Sequence, residues 1–517
     1  MREDGARAGT SLTTGARVSG GLALAAGLAL RILMLNWVFE VNGDSLIYGG
    51  IAKSLMLHGR YALTAPDGTM YPTLIRLPGY PFFLAACFRL FGMENYWAAA
   101  CVQVALELAG CVLLADFARR AARMVRGADA VFARRAGLAT LWLAALCPFT
   151  AAYCAEPMAE SLTVFALALA MWAMARFREE PGWRSALAFT CGVTCATLLR
   201  PDGALAAIAF VPVMLMAPRC GSKKDSDSPK GPGAPSIARL FTRWVGNGNA
   251  NLRFPIVALT CVVLSLTPFA VWTVRNWSVF HVFQPLAPRL ATDPGEETNP
   301  GWERWVKSWC LDFVSTYQIY WSVPDGPLDV SQLPSRAFDS PAQYAETAAL
   351  AGDYERQEEQ LTPAIDAAFA RLAAERIRAH PFRYYVLLPL GRVADMWLRP
   401  RVENLNIDLD WWVYAHHHDE TIFSWFYAAL NALYLLLAAI GLWLRPRDST
   451  PGTKTRLWGP RLWKALLAYM LLRSALLLTV EAPEARYTLE CFPMLFALGG
   501  VAVAAGLRKI HIAAATR

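Results

Sequence analysis

Charged residues are scarce in this chain, at 17% of its 517 residues, whereas an average soluble domain has about a quarter. Hydrophobic residues make up 55% of the sequence, and apolar runs of roughly 20 residues, the length of a membrane span, recur along it. This composition excludes an ordinary soluble protein and predicts an all-α polytopic membrane protein. The net charge of +8 does not indicate a nucleic-acid partner, because the basic residues are grouped in particular loops.

Several sequence signatures of chemistry are also missing. The 11 cysteines form no CxxC pair and no metal-ligand spacing with histidine, which favours small buried hydrophobic residues. The sequence contains no glycine-rich phosphate cradle, no nucleophile elbow and no HExxH motif. We therefore find no sequence support for a nucleotide-binding loop, a serine hydrolase or a zinc protease.

The apolar runs predict ten membrane-spanning helices. They lie near 18–39, 96–118, 137–155, 158–177, 185–200, 203–217, 254–274, 421–444, 462–480 and 487–507. The first run resembles a signal peptide in length, but it lacks a clear small-residue cleavage site. We interpret it as an uncleaved anchor.

The distribution of basic residues predicts the orientation of the chain. Residues 119–136 hold six arginines and one aspartate, and the segments 218–253 and 445–464 are similarly basic. By the positive-inside rule these loops and both termini are cytoplasmic. Residues 278–420 carry 12 basic and 21 acidic residues and are expected outside. The protein is thus predicted to be integral to the inner (plasma) membrane, with any functional site in the loops 40–95 and 278–420 on the extracytoplasmic face.

Three regions follow from this topology. Residues 1–277 form an N-terminal membrane module with a first outer loop at 40–95, residues 278–420 an extracytoplasmic domain, and residues 421–517 a C-terminal transmembrane module. The apolar stretches 77–92 and 384–398 are short and interrupted by charges, so we expect amphipathic juxtamembrane helices at the outer face. Most of the outer domain is expected to be helical, including 341–380.

Two acidic residues stand at the expected outer ends of helices. Asn42 or Asp44 would suit the N-cap of a helix over 45–58. Glu156 precedes Pro157 at a helix start, where a carboxylate suits the helix dipole. The same two acids, near several arginines, would also suit a metal ion or an acceptor hydroxyl. Position alone does not separate these interpretations.

Five arginines lie at or inside predicted spans: Arg31, Arg200, Arg275, Arg473 and Arg486. Each has a simple interpretation as an anchor whose charged end extends to the membrane surface. Arg473 lies deeper in its helix and is expected to meet a partner or line a cavity. Arg486 is close to Glu481 and Glu484, which makes ion pairing its simplest role.

The histidine run His416–His418, followed by Asp419 and Glu420, suggests a metal site at first sight. Adjacent residues rarely converge on one ion, and this spacing matches no standard site. We therefore predict no metal-ligating residues. A divalent cation at the outer acids remains an open alternative, and no other cofactor is expected.

Four elements of the sequence, by their order and placement, resemble the polytopic glycosyltransferases of the GT-C fold class. They are NGDSLIYGGIAKSL with IRLPGYPFF, EPMAESLTVFALALA, LLRPDGALA with PFAVWTVRNWSVFHVF, and ARYTLECFPMLFALGG. The likeness is to the dolichyl-phosphate-mannose–protein mannosyltransferase superfamily and the bacterial aminoarabinose lipid A transferases. It extends over about 20–285 and 465–507, whereas 286–420 resembles no family that we can name.

The resemblance implies an inverting transfer of a sugar from a polyprenyl-phosphate donor to a lipid, glycan or protein acceptor. By position, Asp44 is similar to the family's catalytic aspartate, and Arg76 to the basic residue that holds the lipid phosphate. Ile75 departs from the pattern, because the aminoarabinose enzymes have an acid there. The candidate substrate-binding residues are Lys53, Arg76, Tyr80, Glu156, Arg200, Arg275, Arg486 and Tyr487.

A transporter or flippase of a lipid-linked or anionic substrate is the alternative, since charged residues in spans often mark a substrate path. Against it, the sequence shows no two-fold repeat and no matched pair of broken helices. The large outer domain also suits chemistry at the membrane surface better.

Overall fold

The computed structural model describes residues 2–125, 128–180, 182–215, 253–288, 291–324, 326–444 and 458–515. Its longer helices are α1 (Arg2–Trp37), α2 (Asp44–His58), α3 (Gly79–Phe91), α4 (Tyr96–Ala122), α5 (Ala130–Ala145), α6 (Pro148–Ala155), α7 (Ala159–Glu179), α8 (Trp183–Leu199), α9 (Leu205–Leu215), α10 (Arg253–Phe280), α11 (Pro300–Lys307), α12 (Pro341–Arg356), α13 (Pro363–Ala379), α14 (Leu388–Leu398), α15 (His418–Trp443), α16 (Trp458–Leu477) and α17 (Phe492–Ala515). Strands β1 (Ala62–Thr64) and β2 (Met70–Pro72) pair antiparallel in the first outer loop. The predicted all-α membrane class is confirmed.

Six described helices are long and apolar enough to cross a membrane. They are Thr14–Trp37, Tyr96–Ala122, Ala159–Glu179, Leu259–Phe280, His418–Trp443 and Ala485–Lys509. Helices α5 and α6, predicted as one span, meet at an angle of 48° and count as a seventh if taken together. Pro148 opens α6 and lacks the amide donor that would continue α5.

The predicted number of ten spans is not confirmed. Helices α8 and α9 have 17 and 11 residues, which is shorter than the roughly 20 that a span needs. Helix α16 has 20 residues but carries Arg461, Lys464 and Arg473. The end of the predicted span 203–217 and much of the basic segments 218–253 and 445–464 lie outside the described residues.

Small residues allow the membrane helices to pack closely. Helix α7 lies along α8 and α4, and α17 lies along α5 and α15. A Cβ atom on Gly192 would lie 2.7 Å from the carbonyl oxygen of Ala166, so glycine permits the contact between α8 and α7. Arg31 is fully buried rather than anchored at the surface: its Nε donates to Glu107 at 2.5 Å and its Nη1 to the Ala145 carbonyl at 2.7 Å.

Residues 278–420, predicted to lie outside and called the outer region below, have their own hydrophobic core. Trp302, Trp305 and Trp309 pack there with Phe369, and α11 lies against α13. The helix expected over 341–380 is interrupted at 357–362, because α13 starts afresh with Thr362 as N-cap and a proline as its first residue. Both short outer helices are present, as α3 and as α14 preceded by a π-turn at Arg383–Leu387. Their interfacial position remains a prediction.

Candidate active site

Asp44 is the first residue of α2 rather than its N-cap. The cap position belongs to Gly43, whose φ of 44° is one that glycine adopts without strain. The prediction that Asn42 or Asp44 caps this helix is therefore wrong. The Asp44 carboxylate is left to contact other side chains.

Two arginines from distant parts of the chain converge on this carboxylate. Arg76 Nη2 lies 2.5 Å from Asp44 Oδ1, and Arg486 Nη1 lies 3.2 Å from Oδ2. Burial alone would raise the pKa of Asp44, but the two guanidinium groups outweigh it and lower this pKa. Asp44 is consequently ionised at neutral pH.

The two arginines are held by different local structures. Tyr61 donates its hydroxyl to the Arg76 carbonyl at 3.0 Å, and the Arg76 guanidinium lies 5.9 Å from the Tyr48 ring centroid. Arg486 lies in a 3₁₀ turn at Ala485–Cys491, and its Nε is 2.5 Å from Glu484. The expected ion pair with Glu484 is thus present, whereas Glu481 pairs with Lys307 at 2.7 Å.

A second charge network lies beside the first. Arg200 is 2.7 Å from both Glu160 and Glu490, and Arg473 is 3.4 Å from Glu490 and also contacts Asp202. The expectation that Arg473 meets a partner is confirmed. Because Glu160 also lies 3.8 Å from Arg486, it connects the two networks.

Sequence reasoning missed Glu160, Glu490 and Asp202 as members of the site. Glu160 is in the first turn of α7, where the prediction had expected Glu156. A signal for Glu160 was present, since it follows Glu156 by four residues at a helix start. Asp202 likewise follows Arg200 in the RPDG sequence, but no sequence pattern pairs Glu490 with Arg200.

Glu156 lies at the C-terminal end of α6 and not at a helix start. Its carbonyl oxygen accepts a hydrogen bond from Gln103 at 2.8 Å. Burial raises the pKa of the Glu156 carboxyl to about 8, and Glu160 adds to this while Arg486 opposes it. At neutral pH most of this carboxyl is therefore protonated.

Two predicted tyrosines support the charged groups. Tyr80 is fully buried and donates to Gln103 Oε1 at 2.5 Å, with its ring centroid 4.8 Å from that of Tyr48. Tyr487 donates to Glu484, and its ring centroid lies 5.6 Å from the guanidinium groups of both Arg200 and Arg486. The Tyr487 ring thus separates two like charges.

The structure does not bring Lys53 or Arg275 to Asp44. Lys53 is exposed and pairs with Glu94 at 3.1 Å. Arg275 donates to the carbonyl oxygens of Thr73 at 2.7 Å and Tyr61 at 2.6 Å. Arg275 therefore attaches the first outer loop to α10.

One group of described residues has the composition of a metal site. Ligand atoms of Asp408, Asp410 and His417 lie within 4.8 Å of one another. The two ring nitrogens of His417 face different carboxylates, Nδ1 at 3.2 Å from Asp408 and Nε2 at 3.2 Å from Asp410. Each carboxylate thus lies against a different nitrogen of the ring, whereas one ion can bind only one of these nitrogens. The adjacent His416 and His418 do not join the group.

Chemically, the site combines an ionised carboxylate with arginines that bind anions. Guanidinium groups bind phosphate oxygens as well as carboxylates, and often in a bidentate manner. The fold and the site thus define a helical membrane protein with arginines and carboxylates grouped in one half-buried cluster around Asp44.

Residues 72–226 match the model of the dolichyl-phosphate-mannose-protein mannosyltransferase family. The match includes Arg76, Tyr80, Glu156 and Arg200, and it confirms the resemblance to this GT-C superfamily. Asp44 and Arg486 lie outside the matched residues. No curated protein matches the chain in sequence.

Solved structures with a partial likeness include those of two proteins. The oligosaccharyltransferase of Archaeoglobus fulgidus, crystallised with a tethered acceptor peptide, has 12% identity and a TM-score of 0.46, covering 97% of this chain and 51% of its own. ArnT of Cupriavidus metallidurans, bound to undecaprenyl phosphate, has 14% identity and a TM-score of 0.34, covering 94% and 77%. This chain thus spans about half the length of the oligosaccharyltransferase.

Proposed function

We propose that this protein is a membrane glycosyltransferase that moves a sugar from a polyprenyl-phosphate donor to an acceptor hydroxyl. The observation that carries the proposal is the Asp44 carboxylate between Arg76 and Arg486. The match to a mannosyltransferase family over 72–226 supports the same class of reaction.

In this proposal, Arg76 and Arg486 bind the donor phosphate. The phosphate is a good leaving group once cations hold it, so little acid catalysis is needed. Glu156 lies beside Arg486 and Glu160. Because its carboxyl is protonated, it adds no negative charge that would repel the donor phosphate. Glu160 and Glu484 hold Arg486 from the other side.

Asp44 serves as the general base. When the donor phosphate takes the two arginines, the carboxylate is released from them and can accept the proton of an acceptor hydroxyl. The acceptor oxygen then forms a bond to the anomeric carbon, and the bond from that carbon to the phosphate oxygen breaks. The electron pair leaves with the lipid phosphate. One such displacement inverts the anomeric centre.

The membrane arrangement is part of the proposal. We place both termini in the cytoplasm, the active site on the extracytoplasmic face of the inner (plasma) membrane, and residues 278–420 outside. The donor then arrives through the lipid, and the acceptor arrives from the outer face as a lipid, glycan or protein.

Donor turnover tests the proposal against a transporter or flippase. We expect purified protein, given polyprenyl-phosphate sugars labelled in the sugar, to release free lipid phosphate and transfer or hydrolyse the label. Movement of the intact labelled lipid across proteoliposomes without cleavage would contradict an enzyme. The sugar and the acceptor are identified by running the same assay with a panel of donors.

A further inference from the structure

A cavity lies in the outer region, away from Asp44. Its volume is about 680 Å³, and it opens between segments near 312–336, helix α14 and the chain at 399–412. None of the candidate residues for phosphate binding lines it. Its lining combines indole rings, amides and ion pairs.

Two adjacent tryptophans form one side of this cleft. Trp412 is 49% exposed, and its ring centroid is 5.8 Å from that of Trp411, at an interplanar angle of 81°. An exposed indole is costly to leave in water, since it is largely apolar and carries a single N–H donor. The apolar C–H face of a sugar ring fits such a surface, while the hydroxyls around the ring remain available to polar groups.

The charged residues of the cleft neutralise each other. Asp312 lies 2.5 Å from Arg336, and Asp395 lies 3.3 Å from Arg399. Two acids and two cations leave no excess charge to attract a phosphate or another anion. This balance favours a neutral ligand with many hydroxyl groups.

Hydrogen-bonding groups also line the cleft. Gln318 and Gln332 contribute amides, each of which both donates and accepts. Gln318 belongs to a π-turn at Thr316–Tyr320, a local geometry found often at functional sites. Burial raises the pKa of Asp395 to about 6, with Asp312 and Glu403 adding to this and Arg399 opposing it. Part of that carboxyl population is then able to donate as well as accept.

The wall of the cleft is fastened beside the candidate active site. Arg401 follows the lining residues Arg399 and Pro400 and has a φ of 66°, a left-handed conformation that is strained for arginine. It donates to the carbonyl oxygens of Ala485 at 2.9 Å and Met396 at 3.1 Å. Ala485 immediately precedes Arg486, which contacts Asp44. The cleft and the carboxylate site therefore share one attachment.

We propose that this cleft binds a neutral oligosaccharide, which rests on Trp411 and Trp412 and hydrogen-bonds to Gln318 and the paired carboxylates. If the proposed function holds, the oligosaccharide is the acceptor or the part of it next to the reacting hydroxyl. Binding of the oligosaccharide does not require the donor.

The test measures binding to the full chain in nanodiscs without donor. Short neutral oligomers of mannose, glucose, galactose and N-acetylglucosamine serve as probes, with tryptophan fluorescence and saturation-transfer NMR as readouts. We expect at least one oligomer to bind, and Trp412→Ala to weaken it about tenfold, the loss of one good stacking contact. Gln318→Ala provides a second variant, and Trp183→Ala, at a tryptophan that is 60% exposed on α8, is the matched control.

Two outcomes would overturn the inference. One is no binding of any oligomer, or equal binding by wild type and both cleft variants. The other is quenching of Trp412 by brominated lipids together with no response to sugars, which would make it a membrane anchor. Donor turnover is measured separately on the wild type, so loss of turnover with intact sugar binding refutes the proposed function and leaves the sugar site standing.

Discussion

The arginines around Asp44 and two buried arginines of the outer region, Arg392 and Arg401, have different kinds of partner. Around Asp44, Arg76, Arg200 and Arg486 lie within 4 Å of carboxylate oxygens. In the outer region, Arg392 donates to the carbonyl oxygens of Lys307, Cys310 and Val480. Arg401 likewise donates to backbone carbonyls and neutral side chains.

The difference lies in what a ligand can replace. A carboxylate on a side chain can give up its arginine to an incoming phosphate, because the two anions bind in the same way. A backbone carbonyl that is fixed by the fold cannot move aside, and leaving it without a donor when buried costs about 1–3 kcal/mol. We therefore expect the first set to affect substrate binding and turnover, and the second to affect stability.

The largest effect is expected for Asp44→Asn. The amide keeps the size of the side chain but cannot accept the acceptor's proton, so sugar transfer should fall by about 10²–10⁴-fold. The measurement is transfer from a labelled polyprenyl-phosphate sugar, with thermal unfolding to confirm the fold. Asp67→Asn is the matched control in the same outer loop, because Asp67 is exposed and bonds only locally to Thr69. An Asp44→Asn variant with full activity would refute the role of Asp44 as the general base.

Loss of Arg392 should be the largest effect on stability. In Arg392→Leu three carbonyl groups lose a donor, that of Cys310 buried and those of Lys307 and Val480 half-buried, and we expect the free energy of unfolding to fall by about 3 kcal/mol. Chemical denaturation in detergent measures it. A higher KM for the donor with unchanged stability would contradict the structural role that we assign to Arg392.

Arg486→Lys should weaken donor binding with a smaller effect. Lysine keeps the charge but loses the planar fork that contacts Asp44 and Glu484 together. We expect the KM for the donor to rise about tenfold, equivalent to about 1.4 kcal/mol, with stability close to that of the wild type. Arg89→Lys, at an exposed position on α3, is the control. An unchanged KM would remove Arg486 from the phosphate site.

The smallest effect concerns pH. The pKa of Glu156 in the folded protein is about 8, above the ordinary value of 4.5. Neutral Glu156 is thus favoured in the folded state, and its contribution to stability, full below the ordinary carboxyl pKa, is lost as pH rises towards 8. Ionised Glu156 also repels the phosphate of the donor, so the KM for the donor should rise severalfold above pH 8. Glu156→Gln should give a flatter profile of KM against pH, and an identical profile would contradict this role.

Much of the architecture was predictable because hydropathy is a local property. The six long apolar helices fall on predicted spans, and α3 and α14 are short, as the charges within them indicated. Hydropathy and capping preferences gave wrong predictions at two places where an adjacent glycine or proline set the backbone geometry. Gly43 occupies the N-cap position of α2 that was expected for Asn42 or Asp44. Pro148 lies at the bend between α5 and α6, which were predicted as one span.

The site was only partly predictable for a different reason. Asp44 and Arg76 are both near the first span, so their pairing was within reach of a resemblance. The contacts of Glu160 and Glu490 with Arg200 join residues that are 40 and 290 positions apart in the chain. No periodicity links such residues, and the sequence does not show whether an acidic residue is buried or exposed. Lys53 and Arg275 show the converse, because their charges have partners away from Asp44.

By itself, the sequence determined that this is a helical membrane protein with an acid and a basic residue in the loop that follows its first span. Composition and hydropathy act over single helices, which is why they suffice for that conclusion. Only the tertiary structure decided that Asp44 lies between Arg76 and Arg486, 442 residues away in the chain, and that the outer region encloses a neutral, tryptophan-lined cleft. Those features depend on which helices pack together, and packing is set by shape and burial across the whole chain.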